Sequence, residues 1–240
     1  MIKKLLCWCV LAFLAVSCEE SFVTPDPEAR GLNYYPLEVG QYRIYDVTDI
    51  HYQNDVATET HFQMREWVAD SFLDQTNALT YKIIRSVRPN AQAEWLDDSV
   101  MTVTKDHNRV ILTKDNTRYV IMVFPVQEGK TWQADVLNNR YNRDSTAKEN
   151  SVYFTVDKPY TLQNSAVYDK TATVFIGEVS TDSTIIDKRR EVYARNIGKI
   201  YRVFDRKNLG SCQSTDCEDY VSPILDGHER YEVLIEHGKL

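Results

Sequence analysis

The chain is a succession of short runs rich in Val, Ile, Thr and Tyr, separated by Asn, Asp and Gly, with no long helical period. β-branched and aromatic residues favour strands, whereas Asn, Asp and Gly favour the turns between them. The sequence therefore predicts an all-β, mainly antiparallel fold. Strands are predicted at residues 41–50, 60–69, 79–88, 99–105, 109–113, 118–124, 152–157, 171–180, 184–194, 200–205 and 229–237.

The run 60–69 shows how these strands are recognised. Phe62, Met64 and Val68 alternate with polar residues, which is typical of a strand with one solvated face. Glu66 and Trp67 invert this alternation. The inversion indicates either a β-bulge or a tryptophan on the outer surface.

Short polar segments between neighbouring runs predict tight turns. Residues 106–108 and 114–117 have this character, which favours a meander of sequential strands. Residues 119–126 are apolar on both alternations and are predicted to lie at the centre of the core. We expect a curved meander sheet or a barrel-like body, for which a lipocalin-like barrel is the nearest comparison. Residues 138–150 and 211–226 are predicted to be irregular.

Two segments share an aromatic-Pro-aliphatic-x-x-Gly frame. One contains Pro36 and Gly40, the other contains Pro125 and Gly129, and the prolines are 125 − 36 = 89 residues apart. Proline cannot donate to a strand ladder and glycine tolerates a positive φ, so each frame suits a structural turn that starts a new strand. The pair is either a remnant of an internal repeat or a coincidence.

The N-terminus has the order of an export signal. Lys3 and Lys4 precede an apolar stretch, residues 5–15, that is too short to span a bilayer as a normal helix, and Ser17 precedes Cys18. This order resembles a bacterial lipoprotein signal, which implies cleavage of residues 1–17 and lipidation of Cys18. The alternative is an ordinary secretory peptide in which Cys18 is incidental. We expect residues 18–33 to form a flexible tether and residues 34–240 a single β domain.

Charge and cysteine content limit the partners. The whole chain carries −7, and loss of two lysines with the signal takes the remaining 240 − 17 = 223 residues to −9. Nucleic acid is therefore not an expected partner. In the exported part, Cys212 and Cys217 are the cysteines left besides Cys18, and we predict that they form a disulfide worth about 2 kcal/mol. The rival interpretation, a metal pair, lacks a histidine within ten residues.

The sequence contains no G-x-S-x-G elbow, H-E-x-x-H helix, Walker loop or Rossmann glycine run. We therefore predict no catalytic residue, no metal and no cofactor. A minor alternative is a metal site in which a hairpin brings His51 and His61 together with Glu59. Asp97 and Asp98 are candidates for a glycosidase pair or a calcium site, but an exposed turn is the favoured interpretation.

Residues 34–47 resemble the "YFPLxVGxxWxYxV" segment of largely uncharacterised Bacteroidetes lipoproteins, with Arg43 in place of the usual aromatic residue. Residues 94–100, 124–132 and 191–201 are also similar to segments of that group. The resemblance implies a secreted, lipid-anchored β protein and carries no activity. It also implies that Glu19-Glu20, after the lipidated cysteine, acts as a signal for export to the cell surface.

These features together predict a non-catalytic binding or accessory module, lipid-anchored in the outer membrane of a Gram-negative bacterium. Its expected partners are the membrane, through the anchor, and an apolar small molecule, a glycan or another envelope protein in the concave face of the sheet. The alternative function is a surface hydrolase that acts on glycans.

Overall fold

The computed structural model of the protein describes residues 26–138, 149–177, 184–211 and 222–240. It confirms an all-β body, in which a short 3-10 helix, Leu32–Tyr34, precedes twelve antiparallel strands. The strands are β1 (Gln41–Gln53), β2 (Val56–Leu73), β3 (Leu79–Arg88), β4 (Leu96–Lys105), β5 (Arg109–Lys114), β6 (Thr117–Val123), β7 (Thr131–Gln133), β8 (Asn150–Thr161), β9 (Val167–Ile176), β10 (Ile185–Ala194), β11 (Gly198–Leu209) and β12 (Ile224–Lys239). In the described ranges, no helix is long and apolar enough to cross a membrane.

The strands form one sheet in the order β6-β5-β4-β3-β2-β1-β12-β11-β10-β9-β8-β7. Sequential strands are neighbours in this order except β6 and β7, and the first strand pairs with the last. The sheet curls into a nearly closed barrel whose seam lies between β6 and β7. At this seam the Val120 amide donates to the Ala134 carbonyl (2.8 Å), and the Asn138 amide group exchanges two hydrogen bonds with the Arg118 backbone.

Because every strand reverses direction, the connections alternate between the two ends of the barrel. We call the end at which β1, β3, β5, β7, β9 and β11 finish the distal end. The opposite end, the N-terminal end, carries the β2–β3, β4–β5, β6–β7, β8–β9 and β10–β11 connections, the segment before β1 and the C-terminus, where the Leu240 amide donates to the Gly40 carbonyl (2.9 Å).

The segment before Tyr34 packs on the N-terminal end. The Arg30 carbonyl accepts from the Val126 amide (3.0 Å), and the Leu32 carbonyl accepts from Lys105 Nζ (2.8 Å). Ordered contacts therefore begin within the stretch expected to be a tether. Residues 18–25 lie outside the described residues.

An apolar core fills the N-terminal part of the barrel. Its buried side chains come from most of the strands: Tyr34, Val68, Ile83, Met101, Val103, Val110, Met122, Phe124, Tyr153, Ala172, Val174 and Tyr193. Tyr153 also joins the two sides of the seam, because its hydroxyl donates to the Val123 carbonyl (2.8 Å) and accepts from the Val123 amide (3.1 Å). A side chain thus supplies two hydrogen bonds that a neighbouring strand would otherwise make.

Residues 119–126, predicted to lie at the centre of the core, contribute Val120, Met122 and Phe124 to the buried apolar residues. β6 is an edge strand at the seam, not the centre of the sheet. It is apolar on both alternations because Val120 and Met122 are in the core while Ile121 and Val123 pack against the same cluster. Trp132 of β7, a strand that the sequence did not predict, covers this edge and donates from Nε1 to the Val120 carbonyl (2.7 Å).

The glycines of the two Pro-Gly frames have similar geometry, although the bonds before the two prolines differ. Gly40 and Gly129 have φ values of 92° and 80°. Gly40 directly precedes β1, and Gly129 lies two residues before β7. The Phe124–Pro125 peptide bond is cis. The Gly40 amide donates a hydrogen bond to the Val68 carbonyl of β2, and the Gly129 amide donates one to the Tyr153 carbonyl of β8, both at 2.8 Å. The β1–β2 and β7–β8 units therefore start in a similar way, half a barrel apart.

Candidate functional site: a charged cavity inside the barrel

A cavity of about 460 Å³ lies inside the barrel above the apolar core. This volume falls in the range of small-molecule sites. Residues that alternate along the strands supply the lining, since side chains two apart share a face. The lining is unusual in its charge: seven cationic residues, Arg43, Arg85, Lys114, Arg189, Lys199, Arg202 and Arg206, and four acidic residues, Glu66, Asp115, Glu149 and Glu191.

Glu66 of β2 is the first centre of an ion-pair chain. Arg85 of β3 donates from Nη2 to Glu66 Oε1 (2.7 Å), and Lys199 Nζ of β11 lies 3.5 Å from the same oxygen. Burial alone would raise the pKa of Glu66, but Lys199 and Arg85 outweigh it and lower the pKa to about 2. Glu66 is therefore ionised at neutral pH.

Glu232 of β12 is the second centre and is completely buried. Its oxygens accept from Lys199 Nζ (2.9 Å), Arg202 Nη1 (3.0 Å) and Arg230 Nε (3.0 Å). Burial would raise the pKa of Glu232, but these cations hold it well below its usual value. Lys199 bridges the two glutamates, so one network spans β2, β3, β11 and β12.

Among the remaining lining cations, Arg189 pairs with Asp187 (2.7 Å) and Glu149 (3.1 Å), whereas Lys114 and Arg43 are less fully neutralised. Burial, followed by repulsion from Arg85 and Arg202, lowers the pKa of Lys114, which lies near the distal end. Arg43 donates hydrogen bonds to the carbonyls of Ile197 (2.7 Å) and Pro36 (3.3 Å). It forms no ion pair with a carboxylate of the described residues. The seven cationic residues of the lining are matched by six carboxylates: the four in the lining, and Glu232 and Asp187, which lie outside it but pair with lining cations.

Arg85 contributes a further feature that suits the cavity to a polar group. The residue is 9% exposed, and its buried Nε has no hydrogen-bond partner among the described residues. A buried donor without a partner costs free energy unless water or a ligand accepts from it. The cavity beside this donor is therefore suited to an acceptor.

Solvent reaches the cavity from the distal end. The exposed lining side chains are those of the β5–β6 turn and of the upper part of β11: Asp115 is 83% exposed, Arg206 51% and Lys114 36%. The half-buried Tyr35 lines the lower end, where its ring lies 6.0 Å from that of Tyr193. The Tyr193 hydroxyl in turn donates to Glu191.

The two weak sequence candidates lie elsewhere. Asp97 accepts from Ser86 Oγ (2.8 Å) and Asp98 from Ser99 Oγ (3.0 Å). Both are in β4, not in the expected exposed turn, because this strand begins at Leu96. His61 contacts Glu59 (2.6 Å) as expected, but His51 pairs with Thr58 across the hairpin and lies away from His61.

Sequence reasoning missed the cavity residues because each is an ordinary polar residue on a strand. The one local signal was the inversion at Glu66 and Trp67, where the structure places the glutamate with Met64 and Val68 on the buried face and the tryptophan on the other. The register shift of β2 against β3 lies just beyond, between Val68 and Asp70. The predicted lipidation site Cys18 and the predicted disulfide partners, Cys212 and Cys217, lie outside the described residues.

The chain was compared with known proteins. No protein-family model matches it, and no curated protein matches it. Among solved structures, it is similar to a protein from Bacteroides fragilis described as exported with a YmcC-like fold, at 12% identity and a TM-score of 0.39. It is also similar to a protein from Parabacteroides distasonis described as a lipoprotein, at 9% identity and a TM-score of 0.36. Each similarity covers 85% of this chain and 98% of the other chain.

Proposed function

We propose that the protein is a lipid-anchored cell-envelope binding module, and that its barrel cavity binds a small molecule carrying a carboxylate, sulfate or phosphate group. The observation that carries this proposal is the cationic cavity lining, in a chain whose overall charge is −7. A preformed cavity with a few fixed polar groups is the usual form of a small-molecule site.

The charge of the lining favours an oxyanion over the apolar ligand that a lipocalin-like barrel suggests. Arg85, Lys114 and Arg202 are close enough to influence one another, since both arginines lower the pKa of Lys114. An anion among them would offset that repulsion and would accept hydrogen bonds from guanidinium groups, which suit oxyanions.

The same charges do not favour a glycan hydrolase. A glycosidase needs one carboxylic acid that stays protonated near neutral pH. Glu66 in the cavity lining and Glu232 behind it have pKa values that are shifted down, which makes them ion-pair partners and not proton donors.

The proposed anchor and the cavity lie at opposite ends of the barrel. Described residues begin at Asp26, on the N-terminal end, and the exposed cavity residues are at the distal end. A lipid on Cys18 would therefore hold the protein with its cavity facing away from the outer membrane. Residues 18–25 would supply the connection.

Ligand binding is tested by calorimetric titration with glucuronate, glucose 6-phosphate and glucose 6-sulfate, with neutral glucose as the matched control. We expect binding of at least one charged sugar and none of glucose. Lys114→Gln should weaken that binding, whereas Lys82→Gln, the same change on the outer face of β3, should not. Absence of binding by all three anions, or equal binding of glucose, would contradict the proposal.

Anchoring is tested separately with Cys18→Ala. We expect the variant to leave the membrane pellet, because lipidation needs the cysteine sulfur and each buried methylene of an acyl chain contributes about 0.8 kcal/mol of membrane affinity. A variant that stays in the pellet like the parent would show that another feature holds the protein there.

A further inference from the structure

The distal rim of the barrel carries a second group of side chains, outside the cavity lining. Asp49 and His51 are two apart on β1, and His228 lies directly opposite His51 on β12. Residues two apart on a strand share a face, and directly opposed residues on neighbouring strands are close. The ladder therefore brings one carboxylate and two imidazoles together.

The distances suit a small metal ion. One ligand atom from each residue lies within 4.8 Å of the others. Asp49 Oδ1 is 2.7 Å from His228 Nε2, and Asp49 Oδ2 is 3.3 Å from His51 Nε2. In a tetrahedral zinc site with bonds near 2.0–2.2 Å, ligand atoms are roughly 3.3 Å apart.

The surroundings orient the two imidazoles. The rings of His51 and His228 are stacked, with centroids 4.3 Å apart and an interplanar angle of 6°. Phe204 packs against the other side of His228 at 5.2 Å. Both Nε2 atoms point towards the Asp49 carboxylate, so small rotations of the rings would direct both lone pairs at one ion.

The two arginines beside the site are both paired with other carboxylates. Arg206, opposite His228 on β11, lies 3.4 Å from Asp187 Oδ2. Arg230 Nη1 lies 3.8 Å from Asp49 Oδ1, but its Nε donates to Glu232, so this guanidinium is held mainly by the buried network. His51 is 64% exposed, which leaves room for water as a fourth ligand. Three protein ligands with one open position form a common zinc arrangement.

We propose that Asp49, His51 and His228 form a zinc-binding site at the distal rim of the barrel. The site is independent of the anion proposed for the cavity, because none of its three residues lines that cavity. The sequence suggested that His51 would share a metal with His61. In the structure, the partner of His51 is instead His228, because β1 pairs with β12.

The test is titration of the full chain with Zn²⁺ by calorimetry and with Co²⁺ by visible absorption, which reports tetrahedral coordination. We expect one site per chain. His51→Ala and His228→Ala should each weaken binding at least about tenfold, since even the loss of an outer-shell partner costs about 10–100-fold. His61→Ala is the matched control, because His61 also contacts a carboxylate, Glu59, but belongs to no described group of three metal-ligating residues.

Thiols also bind zinc, so the titration is repeated on Cys212→Ser/Cys217→Ser protein. Binding that disappears in this variant, or that persists unchanged in His51→Ala/His228→Ala protein, would overturn the proposal. Equal loss in His61→Ala and His51→Ala would also overturn it, as would failure of the parent to bind either ion. Circular dichroism of each variant separates lost binding from lost folding.

Discussion

The two halves of the barrel interior are filled in opposite ways. The N-terminal half is packed with Tyr, Phe, Met and Val side chains, whereas the distal half holds a network of Arg, Lys and Glu around a cavity. Apolar packing gains free energy from burial alone, but buried charges must recover their desolvation cost through pairing. The difference indicates that the N-terminal half stabilises the barrel, while the distal half keeps its charges at a cost that a ligand site would explain.

The largest expected effect is in the distal half, at Glu232. Glu232→Gln keeps the side-chain volume but removes the charge that neutralises Lys199, Arg202 and Arg230. Removing one partner of a buried ion pair costs about 3–5 kcal/mol, so the free energy of unfolding measured in urea should fall by about that amount. Glu236→Gln, an exposed change on the same strand, should cost far less. Equal small losses would show that the network contributes little to stability.

Low pH should lower the stability of the protein, because it protonates Glu66 in the distal half. The pKa of this carboxyl is lowered from 4.5 to about 2 in the folded protein. Its stabilising contribution is therefore full above pH 4.5 and is lost as the pH falls towards 2, with a total on the order of 3 kcal/mol. In urea unfolding at successive pH values, the gap in stability between the parent and Glu66→Gln should narrow below pH 4.5. A gap that stays constant down to pH 2 would contradict the lowered pKa.

A smaller loss is expected in the N-terminal half, at Tyr153. Tyr153→Phe retains the apolar ring but leaves the amide and carbonyl of Val123 without their partner at the seam. An unsatisfied buried polar group costs about 1–3 kcal/mol, and thermal unfolding should report a loss in this range. Tyr42→Phe, which removes an exposed hydroxyl bonded to Glu236, is the control. If both variants melt alike, the seam does not depend on this bridge.

The N-terminal half could be predicted from sequence better than the distal half, and the reason is local. Strand alternation, turn residues and the Pro-Gly frames act over a few positions, and they yielded the all-β meander and the start of β1 at Gln41. The network at the cavity instead joins Glu66 and Arg85 of β2 and β3 to Lys199 and Glu232 of β11 and β12, two strand pairs that are distant in sequence. A charged residue on a strand normally faces solvent, so only the register of the folded sheet reveals that these side chains meet. The three residues of β7 gave too short a pattern to recognise.

The smallest expected effect tests whether the N-terminal half is only structural. Gly129 has φ +80°, and a Cβ placed there would meet no atom within 4 Å, so Gly129→Val adds backbone strain without a clash. We expect a loss of about 1–2 kcal/mol in thermal unfolding. Gly40→Val should cost more, because at φ +92° its Cβ would also lie 2.9 Å from the Leu240 carbonyl oxygen. Both variants, once folded, should respond to charged sugars like the parent, because neither glycine lines the cavity. An unchanged melting temperature together with lost binding in Gly129→Val would place function at the N-terminal end and reverse the assignment of roles to the two halves.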